Sequence, residues 1–146
     1  MALAIPPLFD WSSDHDRTGP GLSARAPEKL SVLRIVSALI FTLHGSQKIL
    51  AFPPTDQQPP LASLMGVGGL LELVGGVLLL LGLFTRPAAF VLSGMMAVAY
   101  WMFHAPGNLS PTLNGGDAAI LYCFVFLYIF VAGPGPWSLD AMLRRR

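Results

Sequence analysis

The chain is constrained above all by four apolar segments, each close to the length of a membrane crossing and each closed by proline or glycine. They run from Leu30 to Leu50, from Leu61 to Leu83, from about Ala88 to His104 and from about Asp117 to Ala132. The breaks fall at Pro53-Pro54, at a tight turn over Thr85-Arg86-Pro87, at Pro106-Gly107 and at Gly133-Pro134-Gly135-Pro136. A helix needs about 20 apolar residues to cross the hydrocarbon core. Lipid offers backbone groups no partner, so only helices or closed barrels span it, and none of these segments alternates strictly as a barrel strand does. The expected fold is all-α, an integral membrane four-helix bundle in one domain.

Composition agrees. The chain has 146 residues, 53% hydrophobic and 12% charged, with a mean hydropathy of +0.61; soluble domains carry about 25% charged residues. A net charge of +1 gives no basic field for nucleic acid and no pull on acidic substrates. Cys123 is the single cysteine and lies in an apolar run. Thiol-to-quinone exchange through a mixed disulfide needs a second, resolving thiol, so Cys123 reads as a small buried hydrophobe.

Residues 1–28 read as an irregular tail, punctuated by Pro6, Pro7, Gly19, Pro20 and Pro27, and residues 29–143 as the membrane domain. No cleavable signal peptide is expected, because the start lacks a basic region and is broken by the two prolines. Asp14-His15-Asp16 reads as a solvated turn, since three adjacent residues rarely converge on one ion. Arg17, Arg25 and Lys29 precede the first segment, Arg86 sits between the second and third, and Arg144, Arg145 and Arg146 end the chain, while the other two loops hold no Lys or Arg. That asymmetry places both termini in the cytoplasm. Ala89, Ser93 and Ala97, four apart, are expected to let helix backbones approach closely.

The informative residues are those that acyl chains reject: Arg34, His44, Lys48, Glu72, His104 and Asp117. A charged side chain at the bilayer centre costs about 3 kcal/mol on insertion scales, so these groups are expected to face one another inside the bundle. Arg34, Phe41 and Lys48 recur every seventh residue and share a stripe, with Ser37 and His44 beside it. Counted from the cytoplasmic end at about 1.5 Å per residue, Arg34 lies about 6 Å in, Glu72 about 16 Å, His44 about 21 Å, and Lys48 and His104 about 27 Å. Arg34 is expected to snorkel to lipid phosphates. Glu72 is expected to centre a network with His44 and Lys48, extended outward by Gln47, His104, Asn114 and Asp117. In this reading His44, Lys48, Glu72 and His104 carry the chemistry and Gln47, Asn114 and Asp117 bind the ligand.

One function for such a network is an outward-facing polar pocket that takes a small polar or quinone head group and handles protons, histidine being the side chain that exchanges them near neutral pH. The alternative is a non-catalytic scaffold or small-solute permease whose charges hold helices in register. A metal is not expected, because the paired Glu-x-x-His motifs of carboxylate-bridged bundles are missing. Fingerprints for flavin, nicotinamide or iron–sulfur groups are missing too, and the cofactor stays unassigned.

Several stretches taken in order resemble the DoxX family of small four-helix bacterial membrane proteins. They are RIVSALIFTLHGSQK from Arg34, GLLELVGG from Gly69, LLLLGLFTRPAA from Leu78, NGGDAAILY from Asn114 and GPGPWSLDAML near the end. The resemblance covers about Leu30 to Leu143. It implies a multi-pass protein of the bacterial inner membrane, with relatives tied to quinone-linked oxidoreductase complexes, a thiosulfate-to-quinone subunit among them, and to redox-defence assemblies. The implied partners are the lipid bilayer, a quinone and oxidoreductase subunits.

Overall fold

The computed structural model describes residues 24–56 and 58–145; the Asp14-His15-Asp16 triplet and nearly all of the expected tail lie outside the described residues. The elements are α1 (Ala26–Leu50), α2 (Leu64–Leu81), α3 (Thr85–Ala99), a π-helical turn (Tyr100–His104), the short α4 (Pro111–Asn114), α5 (Asp117–Ala132) and α6 (Leu139–Leu143). The described residues contain no strand. Two helical stretches are long and apolar enough to cross a membrane, α2 and the continuous run Thr85–His104. At about 1.5 Å per residue α5 extends about 24 Å and α1 about 37 Å. α5 is apolar but has 16 residues, and α1 carries Glu28, Lys29, Arg34 and Lys48 along its 25 residues.

Local chemistry sets the ends. Pro27 sits in the first turn of α1, where a missing N–H leaves nothing unsatisfied. Ser63 caps α2 by accepting from the Gly66 N–H at 3.1 Å. α2 stops at Gly82 (φ 67°), where the Leu83 N–H reaches back to the Leu78 carbonyl at 2.9 Å. The reversal therefore falls at Gly82, Leu83 and Phe84, a turn earlier than expected. Thr85-Arg86-Pro87 forms instead the first turn of α3, where free N–H groups make proline harmless.

α1 packs mainly on α2, and α3 mainly on α5. Ala38, Phe41, Leu79, Ala89, Leu92, Phe126 and Ile129 are buried between them. The small-residue expectation holds for Ala89 and Ser93, both buried, with the Ser93 hydroxyl donating to the Cys123 carbonyl of α5 at 2.8 Å. The outward faces are apolar on every long helix, from Val36 and Ile40 on α1 to Leu121, Phe124 and Val131 on α5. An apolar exterior on this scale is the pattern of a chain solvated by lipid.

Arg34 overturns its expectation. It is fully buried and does not reach toward lipid phosphates. Its Nε donates to the Pro134 carbonyl at 2.8 Å, its Nη1 to the Leu79 and Leu80 carbonyls and its Nη2 to that of Trp137. Leu79 and Leu80 lie in the last turn of α2, whose carbonyls lack helical partners and form the negative end of the helix dipole. A guanidinium with five donors in a fixed fork suits such a cluster. Gly82 stands against it, since a Cβ there would press on Ser138 and on the guanidinium carbon. Nearby, both Asp140 carboxylate oxygens accept, from the N–H groups of Phe84 at 3.0 Å and Thr85 at 2.9 Å, capping α3. Burial pushes the Asp140 carboxyl up, but these hydrogen bonds, with Arg144 nearby, outweigh it and hold the group below the ordinary aspartate range.

Candidate functional site

Away from that terminal end, α1 and α2 come together through missing side chains. A Cβ on Gly45 would run into the backbone of Leu73, and one on Gly69 would meet the Lys48 side chain at 2.8 Å. Backbones this close set Lys48, one turn beyond Gly45, directly beside Glu72. Lys48 Nζ bonds Glu72 Oε1 at 2.7 Å and Oε2 at 2.8 Å. The Glu72 side chain is 6% exposed and that of Lys48 30%. The carboxylate is therefore withdrawn into the interior while the ammonium keeps an open side. An ammonium has three donors; Glu72 takes two, and the third has no protein acceptor among the described residues.

The open side faces a cavity of about 510 Å³, the size of a small-molecule site. Of the residues expected to carry chemistry, all four line it: His44, Lys48, Glu72 and His104. The rest of the wall is mostly apolar, with Phe41, Leu71, Met95, Met96 and Phe103 prominent. Glu72 and Lys48 pair as expected, whereas no hydrogen bond joins His44 to Glu72 among the described residues. His44 instead stands edge-on to Tyr122, ring centroids 6.4 Å apart.

Gln47, Asn114 and Asp117 do not line the cavity. The Asn114 main-chain oxygen is 3.1 Å from His104 Nδ1, so Asn114 fixes the histidine from behind, and its side chain bonds the Asn108 carbonyl and the Gly116 N–H. Asp117 is exposed, its Oδ1 accepting from the Ala118 N–H at 2.9 Å at the start of α5. Gln47 is half-buried on α1.

Two contributors escaped the sequence reading. Tyr122 lines the cavity and belongs to an aromatic stack, its ring 5.0 Å from Phe41 and 5.5 Å from Phe126; its place in a uniformly apolar helix gave no signal. The π-helical turn is the other. It closes with the Ala105 N–H on the Tyr100 carbonyl at 2.9 Å and presents His104 to the cavity, while the Tyr100 hydroxyl donates to the Leu109 carbonyl at 2.7 Å. Such turns concentrate at functional sites, and the ordinary helical run YWMFH carries no mark of it.

The DoxX family model matches residues 29–105, which include α1 from Lys29 onward, α2, α3 and the π-turn. The chain is 45% identical to an uncharacterised protein of Haemophilus influenzae over 120 residues, 78% of this chain and 90% of that one. It is 31% identical to the inner membrane protein YqjF of Escherichia coli over 133 residues, covering 79% and 92% of the two chains. To the inner membrane protein YphA of the same organism it is 29% identical over 130 residues, covering 80% and 91%. No solved structure matches the chain. An apolar exterior, helices of crossing length and the family match lead to one statement: the chain belongs to the DoxX family and is a protein of the inner membrane.

Proposed function

We propose that the protein is the membrane subunit of a quinone-linked oxidoreductase or redox-defence complex, and that its cavity receives the quinone head group. Lys48 carries the reading: a buried carboxylate holds its ammonium in place at the wall of an apolar chamber, and one donor has no acceptor among the described residues. An apolar wall with one fixed, incompletely used cation suits a flat ring bearing carbonyl oxygens. Reducing a quinone to a quinol takes two electrons and two protons. In this reading a partner subunit delivers the electrons, and Glu72, His44 and His104, around the cavity, hold and hand on the protons. Asn114 acts through His104, which it bonds, while Gln47 and Asp117 stand outside the cavity wall.

The same reading takes α1, α2, α3 with its π-turn, and α5 as four spans of one bundle. Their apolar outward faces support it. Lys29, Arg86, Arg144 and Arg145 gather at the end where α1 starts and α6 lies, which supports a cytoplasmic position for that end and an outward-facing cavity.

Membranes test the function directly. Purified protein is expected to carry quinone extractable into organic solvent, and a Glu72→Gln strain is expected to lose quinone-dependent respiration through its complex. Protein without quinone, together with unchanged respiration in the Glu72→Gln strain, contradicts the assignment.

A second reading, a scaffold or small-solute permease, is favoured by the same glycine contacts: a helix pair this close is a ready place for an ion pair that merely fixes register. It differs in what removing the pair does to binding.

A further inference from the structure

Gly68 is unlike the other glycines of α2. Gly66, Gly69, Gly75 and Gly76 are each packed so tightly that a Cβ would collide with a neighbour, whereas a Cβ on Gly68 would meet nothing within 4 Å. Packing therefore does not require a glycine there, and Gly68 lines the cavity. A missing side chain at the wall of a chamber leaves an opening.

That opening lies on a loose seam of the molecule. α2 and α3 touch each other far less than α2 touches α1 or α3 touches α5. The cavity wall is drawn from both sides of this seam, with Met65 and Gly68 on α2, Val98 on α3 and Phe103 on the π-turn. Met65, Val98 and Phe103 are about half exposed, at 48%, 54% and 48%. α2 and the Thr85–His104 run are also the two stretches long and apolar enough to cross a membrane. The lips of this opening therefore belong to the two crossing stretches, in the turns toward one end of each, and the polar groups Lys48 and Glu72 line the cavity with them.

We infer that the cavity is filled from the bilayer, sideways through the seam between α2 and α3. Its ligand is a membrane-dissolved, carbonyl-bearing ring whose apolar tail remains in the seam while the ring reaches Lys48 and Tyr122. The inference rests on the reading of the cavity as a quinone-type site and adds the route and the need for a tail. A water-borne head group of the same chemistry would have no use for apolar lips or for a gap at Gly68.

The test uses the full chain in lipid nanodiscs and two probes, a dimethoxy-methyl-benzoquinone with a ten-carbon tail and the same ring without it. Binding is referred to the probe concentration within the bilayer, so that partitioning gives the tail no advantage. The wild type is expected to bind the tailed probe at least about tenfold more tightly. Gly68→Phe, whose Cβ would meet nothing within 4 Å, is expected to weaken that binding at least about tenfold. Gly94→Phe is the control: Gly94 is equally free of neighbours but lies outside the cavity, and binding is expected to stay within about twofold of wild type. If Gly68→Phe does not fold, Val98→Phe on the facing lip carries the same expectation. A folded lip variant that binds the tailed probe like the wild type overturns the lateral route, as does equal binding of the two rings, and both results leave the quinone site standing. A wild type that binds neither probe removes the quinone site, and the lateral route with it.

Discussion

Helix α1 carries a cation near each end, Arg34 fully buried and Lys48 only partly, and the two are treated in opposite ways. At the terminal end the Arg34 fork is surrounded by four carbonyls from the α2 C-terminus and the Pro134–Trp137 stretch, leaving little with which to bind anything else. Near the other end Lys48 has one carboxylate, a donor with no acceptor among the described residues, and a cavity that it lines. Arginine suits the first place because its planar fork matches several fixed acceptors at once; lysine suits the second because it is a compact charge on a flexible stem. Burial of a charge in a membrane chain is thus not by itself a sign of function. What separates structural from functional charge here is access: Arg34 is fully enclosed among carbonyls, whereas Lys48 keeps an open side at a cavity.

The largest effect is expected at Arg34. Arg34→Met removes donors from carbonyls gathered around a fully buried side chain, and buried acceptors left unpaired cost about 1–3 kcal/mol each. The loss is expected to exceed about 3 kcal/mol in total, read as a fall in thermal midpoint in detergent or in the yield of folded protein. Arg34→Lys is expected to recover only a small part, since one ammonium cannot reproduce the fork. An Arg34→Met protein as stable as the wild type would erase the distinction between the two ends.

Glu72→Gln comes next. Removing one partner leaves the Lys48 charge unpaired, and for fully buried pairs such a change costs about 3–5 kcal/mol. Lys48 is 30% exposed, so about 1–3 kcal/mol is expected after solvent screening. Adding Lys48→Met is expected to restore much of the loss, because the double change leaves no orphan charge. Thermal unfolding of the single and double variants measures the difference.

Asp140→Asn is expected to act least and to do so through pH. The Asp140 carboxyl is held below the ordinary aspartate range by its bonds to the α3 N-terminus. Its contribution is therefore complete above the ordinary aspartate value and fades as pH falls through the lowered value. A cap of this kind contributes about 1 kcal/mol, so the variant should be less stable by that amount at neutral pH and converge on the wild type in acid. Parallel pH profiles for the two proteins would contradict the cap.

The two ends also differ in how legible they were. The α5 limits Asp117 and Ala132 follow from the flanking Gly116 and Gly133, and the Lys48–Glu72 pairing follows from the cost of a lone charge in lipid, a long side chain closing a difference of about 11 Å in depth. Arg34 was misread because its partners are backbone carbonyls, two of them about a hundred positions away, and a carbonyl leaves no mark in a residue string. Position near an interface suggested lipid phosphate; tertiary structure supplied a nearer acceptor. Asp117 was drawn into the network by its charge, yet its carboxylate turns to the first N–H groups of its own helix, a local satisfaction that competes with any longer reach. The cavity was foreseeable only as a cluster of polar groups. Its apolar wall and Tyr122 come from how the helix pairs diverge, which periodicity does not encode.

The claim that the Lys48–Glu72 pair meets a ligand, and does not only hold α1 against α2, is tested most directly by quinone binding to the folded Lys48→Met, Glu72→Gln double variant in nanodiscs. A hydrogen bond to a charged group contributes about 1.5–3 kcal/mol, so binding is expected to weaken about tenfold or more while the thermal midpoint stays near that of the wild type. A folded double variant that binds the tailed benzoquinone as tightly as the wild type would show the pair to be a register pin and would contradict its role as a ligand contact.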